Sequence, residues 1–159
     1  MRIPSKFLPV VEKHLADTPV KLGALASELG LEVFKSTLRP GISGLIEPAD
    51  SSPAGYRIRL NRHESTERQR FTLAHEIAHF LLHRQDIGAG VVDDTMYRSA
   101  LSNRKEVEAN KLASQLIMPD KNVARELAQV QHLPVEERVE ILAKEFRVST
   151  QAMRIKLGV

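Results

Sequence analysis

At 159 residues with 42% hydrophobic content, the chain can bury one core but not two of ordinary size. It has no cysteine, which excludes disulfides and thiolate metal sites and leaves His, Asp and Glu to hold any transition metal. Its net charge of +3 and pI near 9.3 come from 23 basic residues interspersed with 20 acidic ones; with 4% aromatic residues and no tryptophan, a nucleic-acid-binding module is not indicated.

The start, Met1-Arg2-Ile3-Pro4-Ser5-Lys6, lacks the apolar stretch of a secretory signal, and no run approaches the roughly 20 apolar residues of a membrane span. The expected setting is cytoplasmic. Apolar spacing predicts two short helices, over Val10 to Asp17 and Lys21 to Leu29, the second capped by Gly30. From Leu31 to Leu60 the period shortens. Val33-Phe34, Ile42 with Leu45-Ile46, and Tyr56 to Leu60 alternate or cluster between turn signals at Pro40-Gly41, Pro48 and Pro53-Ala54-Gly55, predicting about three short strands with a hairpin loop over Glu47 to Gly55. A helix begins at Ser65 and is apolar on nearly every side through Leu82, so it should be buried at the centre. Gln85 to Ser102 has no clear period and reads as a long mobile loop, a candidate for controlling access. Lys105 to Ile117 is amphipathic and stopped by Pro119; Asp120 is placed to cap a helix over Lys121 to about Gln131. Val135 to Phe146 and Ser149 to Leu157 are again helical. The expected class is α+β: mostly helical, with a small three-stranded sheet and a C-terminal helical pair.

The central helix carries His75-Glu76-Ile77-Ala78-His79. Residues four apart on a helix differ by about 40° in azimuth and about 6 Å in height, so the two imidazoles can converge on one ion. Glu76 lies about 100° round from His75, placed to take a proton from water and return it to a leaving amine. The short motif also occurs by chance on inert surface helices, but two histidines and a glutamate inside an apolar helix need partners to be tolerated. A metal supplies one. Catalytic zinc takes three protein ligands, and the next helix offers Glu106 and Glu108. Glu106 shares a face with Ala109, Asn110 and Ala113, which makes it the expected third ligand. Small Ala109 allows close approach, Asn110 is a candidate to orient a ligand imidazole, and Glu108 is expected to face solvent. The cofactor expected is one zinc ion per chain, with manganese or iron also compatible with two imidazoles and a carboxylate.

The run Arg70 to His83, with Glu106-x-Glu108-Ala109-Asn110-x-x-Ala113-x-x-Leu116-Ile117-Met118-Pro119, resembles the ImmA/IrrE metallopeptidase family. The likeness extends to Arg59-Leu60-Asn61 and to Leu142 to Met153, so it covers most of the chain and is least diagnostic in the first twenty residues. It implies a zincin-like fold with His75, His79 and Glu106 on zinc and Glu76 catalytic. It also implies a substrate: a helix-turn-helix repressor of the XRE type, inactivated by cleavage in phage or mobile-element control, stress responses or toxin–antitoxin pairs. On this reading residues 1–159 form one metallopeptidase domain, with N-terminal helices and sheet over 1–63, zinc-binding helices over 64–119 and a C-terminal helical region over 120–159. An alternative of another class is a partner-binding regulator that keeps the metal for structure.

Tyr97 is a candidate oxyanion donor by position, balanced against a loop aromatic packed on the surface. His83 extends the four-residue spacing but lies about 12 Å along the axis from His75, so it is read as a C-terminal histidine favoured by the helix dipole rather than a ligand. His14, His63 and His132 fall outside any ligand spacing and read as surface or boundary residues. The last two helices resemble a helix-turn-helix with Val148-Ser149 at the turn and Thr150, Gln151, Arg154 and Lys156 on the second helix. Packing of Ile141, Leu142, Phe146, Met153 and Leu157 into the common core is favoured over direct DNA reading.

Overall fold

The structure is a computed structural model describing residues 2–88, 90–94 and 103–159, with 91–94 described by their backbone. Helices α1 (Leu8–Leu15) and α2 (Leu22–Glu28) come first. Gly30 follows α2 at φ +85°, and the Leu31 amide returns to the Ala26 carbonyl at 2.9 Å, closing the helix as a C-terminal glycine allows. Strands β1 (Glu32–Ser36), β2 (Ile42–Pro48) and β3 (Tyr56–Asn61) are the three expected. β1 runs parallel to β3, with Val33 opposite Ile58, and β2 pairs antiparallel to β3, with Ile46 opposite Ile58. On β3, Arg57 and Arg59 both donate to the Glu47 carboxylate of β2, the latter at 3.0 Å, an opposite-charge set across the strands.

Helix α3 (Thr66–His83) begins at Ser65, whose hydroxyl accepts the Arg68 amide at 3.1 Å. It packs on β2 and β3 on one side and on a later helix on the other, which is why its sequence has no polar face. The sheet admits it at Gly44. A Cβ there would lie 2.6 Å from Thr72 Cγ2 and 2.9 Å from the Arg59 carbonyl oxygen, so only a residue without a side chain lets the helix sit this low. After α3 and a 3-10 turn at Arg84–Asp86, part of the segment read as an aperiodic loop forms a fourth strand, β4 (Val91–Asp94), antiparallel to β2 with a register shift between Ile42 and Gly44. The sheet order is β1-β3-β2-β4. Four residues are too few to establish a period, and backbone pairing to β2 supplies what the side-chain pattern lacks.

Helix α4 (Asn103–Ile117) crosses α3 through Ala109 and Ala113, both fully buried. In α5 (Asp120–Val130) the cap position belongs to Pro119; Asp120 is the first helical residue and pairs with Lys156 at 2.7 Å and Gln115 at 3.0 Å. α6 (Val135–Phe146) and α7 (Thr150–Leu157) follow, joined through Arg147 in the left-handed conformation, and Ser149 caps α7 through the Ala152 amide at 3.0 Å. Leu142, Phe146 and Met153 are fully buried in a cluster that also contains Val11, Ile58 and Ile77, with Ile141 and Leu157 packed against it. The C-terminal pair therefore belongs to the common core. Arg70 of α3 reaches it directly, donating to the Val20 and Phe146 carbonyls at 3.3 and 3.5 Å. Among the described residues no helix is long and apolar enough to cross a membrane.

Candidate metal centre

On α3, His75 and Glu76 are adjacent and His79 lies one turn on, and these side chains are 3%, 0% and 0% exposed. Their burial follows from the position of the helix between sheet and α4. The Nε2 atoms of His75 and His79 point at the same place and stand 3.0 Å apart. Glu106, from the first turn of α4, bridges them: Oε1 is 3.2 Å from His75 Nε2 and Oε2 is 3.1 Å from His79 Nε2. Among the described residues, these three form the cluster whose donor atoms all lie within 4.8 Å of one another.

The donor set fits a metal. Bonds of about 2.0–2.1 Å in a tetrahedron place neighbouring ligand atoms about 3.4 Å apart, close to the three separations found. Two neutral imidazoles and one carboxylate are also the mixed nitrogen and oxygen set that borderline divalent ions take. Electrostatics favour the required protonation states. Burial holds the His79 imidazole below its ordinary range, against the opposing pull of Glu106. Burial would raise the Glu106 carboxyl, but hydrogen bonds from His75 and His79 outweigh it and hold it well below the carboxylate range. Neutral histidine and ionised glutamate are the forms that bind cations.

Glu108 corrects an expectation. It is not solvated: its Oε1 lies 3.3 Å from His83 Nε2, and its side chain is 21% exposed, much like Glu106 at 23%. The contact face of α4 centres on Ala109, and at about 100° per residue Glu106 and Glu108 fall about 60° and 100° to either side of it. Both long side chains reach α3. His83, read as a helix-terminal residue, does end α3 but is 4% exposed, and its Nδ1 is 3.0 Å from His79 Nδ1. The signal in the sequence was its four-residue step from His79, considered for a ligand but not for a ligand's partner. Phe71, read from sequence only as an apolar position of the helix, stacks on His75 with ring centroids 6.4 Å apart and 24° between planes. Asn110 is exposed. His14 is buried and bonded to Glu28 at 3.0 Å; His63 and His132 are exposed. Tyr97 lies outside the described residues.

Residues 26–158 match the family described as the IrrE N-terminal-like domain. Over 116 residues, 73% of this chain, the sequence is 30% identical to the metallopeptidase ImmA of Bacillus subtilis strain 168. The chain belongs to the ImmA/IrrE family. The match spans 63% of that ImmA. A Mycobacterium tuberculosis transcriptional regulator shares the fold at a TM-score of 0.55 with 14% identity, its similarity covering 100% of this chain and 43% of the regulator. With the ImmA/IrrE assignment, the buried His-Glu-x-x-His helix and the bridging carboxylate become a candidate metallopeptidase centre rather than an isolated pair of core histidines.

Proposed function

We propose that this chain is a zinc-dependent endopeptidase that cleaves a helix-turn-helix repressor of the XRE type at a specific site. The observation that carries the chemistry is the convergence of His75, His79 and Glu106 beside the buried carboxylate of Glu76. His75, His79 and Glu106 would hold the ion, which when bound supplies a Lewis acid and a water acidified to near neutral pKa. Glu76 accepts the proton of the attacking water as its oxygen adds to the scissile carbonyl carbon. The C–N bond then breaks, and Glu76 delivers that proton to the departing amine. Burial of the helix excludes bulk water from the carboxylate, strengthening its interactions with the reacting groups. Tyr97 is proposed to donate to the developing oxyanion. Support for the substrate class comes from family membership, and the 159 residues are proposed to act as one domain.

The test is cleavage of purified repressor candidates by wild-type protein and by Glu76→Gln, with metal measured by mass spectrometry on the same samples. The expected result is about one zinc per chain in both and cleavage by the wild type alone, with a loss of roughly 100- to 10,000-fold in the variant. A second reading is regulation by binding without turnover; it takes over if Glu76→Gln retains the full effect on the repressor.

A further inference from the structure

A chain of three side chains, two buried and the last half-buried, leads away from the candidate metal centre. His79 Nε2 faces Glu106 and His75, while its Nδ1 meets His83 Nδ1 at 3.0 Å, and His83 Nε2 meets Glu108 Oε1 at 3.3 Å. We propose that Glu108 and His83 are positioning residues that fix His79 in the one tautomer able to bind a cation through Nε2. The inference rests on the metal-centre reading above.

The hydrogen bonds assign the protons in order. An imidazole coordinating through Nε2 carries its hydrogen on Nδ1. His79 therefore donates, and His83 Nδ1 must accept. The neutral His83 ring then keeps its hydrogen on Nε2, where the Glu108 carboxylate accepts it. Each member has one role compatible with its neighbour, and the carboxylate, which can only accept, sets the direction. Without Glu108, His83 is free to carry its hydrogen on Nδ1. That hydrogen would point at His79 Nδ1 and make it an acceptor, moving the His79 hydrogen to Nε2, where it blocks the ligand lone pair.

The two histidine ligands are held by different means. His75 Nδ1 is buried without a hydrogen-bond partner among the described residues, and its ring is steadied by stacking on Phe71. Only His79 has its outer nitrogen tied to a relay, so the relay should matter to one ligand and not the other. Glu108 belongs to α4, as Glu106 does, so α4 supports the centre twice, once on each side of Ala109.

The experiment is zinc affinity of the full chain, by competition with a chromogenic chelator, for wild type, Glu108→Leu, Glu108→Gln, His83→Phe, Glu108→Leu with His83→Phe, and His79→Ala. A long-range proton–nitrogen NMR spectrum of the zinc-loaded wild type reads the tautomers. Glu108→Leu and His83→Phe should each weaken zinc roughly tenfold to a hundredfold. The double variant should be no worse than the weaker single, because the two act as one unit. Glu108→Gln, whose amide oxygen still accepts from His83, should recover most of the affinity. The spectrum should show hydrogen on His79 Nδ1 and on His83 Nε2. Wild-type affinity in Glu108→Leu and His83→Phe, additive losses, no rescue by Gln, or hydrogen on His83 Nδ1 overturns the relay while leaving the metal centre standing. A wild type that binds no more zinc than His79→Ala overturns the metal centre itself, and the relay with it.

Discussion

Gly44→Ala tests whether the depth at which α3 sits on the sheet is set by one missing side chain. The added methyl would meet Thr72 Cγ2 at 2.6 Å and the Arg59 carbonyl oxygen at 2.9 Å, both well inside the ~3.5 Å at which carbon contacts become attractive. The oxygen belongs to β3, which is hydrogen-bonded on both sides, so it cannot retreat without disturbing the ladder. Thr72 is fully buried on α3, three residues before His75. Relief must come from the helix moving off the sheet. Overpacking of this kind costs about 1–3 kcal/mol, which for a chain of this size lowers the melting temperature by about 2–4 °C per kcal/mol. The assay is thermal unfolding of metal-free protein followed by circular dichroism, with Gly44→Ala compared to Gly44→Ala plus Thr72→Ser. The second change removes Cγ2 and should restore part of the loss, leaving the contact with the oxygen. A melting temperature for Gly44→Ala within 1 °C of wild type would refute the argument that the helix has no room to yield.

Metal removal should destabilise the protein: at zinc a hundredfold above its Kd, binding contributes about 2.7 kcal/mol, and a chelator should lower the melting temperature by about 5–11 °C, with no shift in His79→Ala. The metal-free protein should lose stability as pH falls. His79 is held low by burial, so the unfolded chain takes up its proton first as pH drops through ~6.5; Glu106 is held low by the two histidines, so the unfolded chain again binds more protons below ~4.5. Denaturant titrations at several pH values check both steps, and a midpoint that rises toward acid would contradict them. Phe146→Ala, emptying a fully buried site shared by α6 and the core, should cost about 3–5 kcal/mol in urea unfolding and shift the whole transition rather than release the C-terminal pair alone. Arg154 and Lys156 are engaged with Glu136 and Asp120, so fluorescence anisotropy with duplex DNA at low salt should show no binding that Arg154→Ala weakens.

The central helix and its convergent histidine pair were legible because helical geometry alone brings His75 and His79 together, and an apolar surround marks the helix as buried. Glu106 followed from Ala109, whose small side chain announced a close crossing. What was not legible was the width of that crossing. A face assigned by three- and four-residue spacing is a narrow stripe, whereas a glutamate on either flank of an alanine spans the gap, so Glu108 was assigned to solvent and His83 was left without its partner. β4 escaped for another reason: its place depends on backbone pairing with β2, which a four-residue run cannot encode. The C-terminal helices were legible as core because Leu142 and Phe146 stand four apart on one helix and Met153 is an apolar position of the next, whatever their outer residues suggest.

The arrangement of groups on α3 has a mechanical consequence. His75, Glu76, His79 and His83 are carried by one rod, so their mutual spacing is as rigid as the helix itself. Glu106 and Glu108 meet this set from α4, across a seam lined by Ala109 and Ala113. Sliding one helix on the other would therefore leave the His75–His79 edge of the triangle whole and change the two sides that run to Glu106. For Glu106 and the two histidines, alignment reduces to a single coordinate, the offset between two crossing rods.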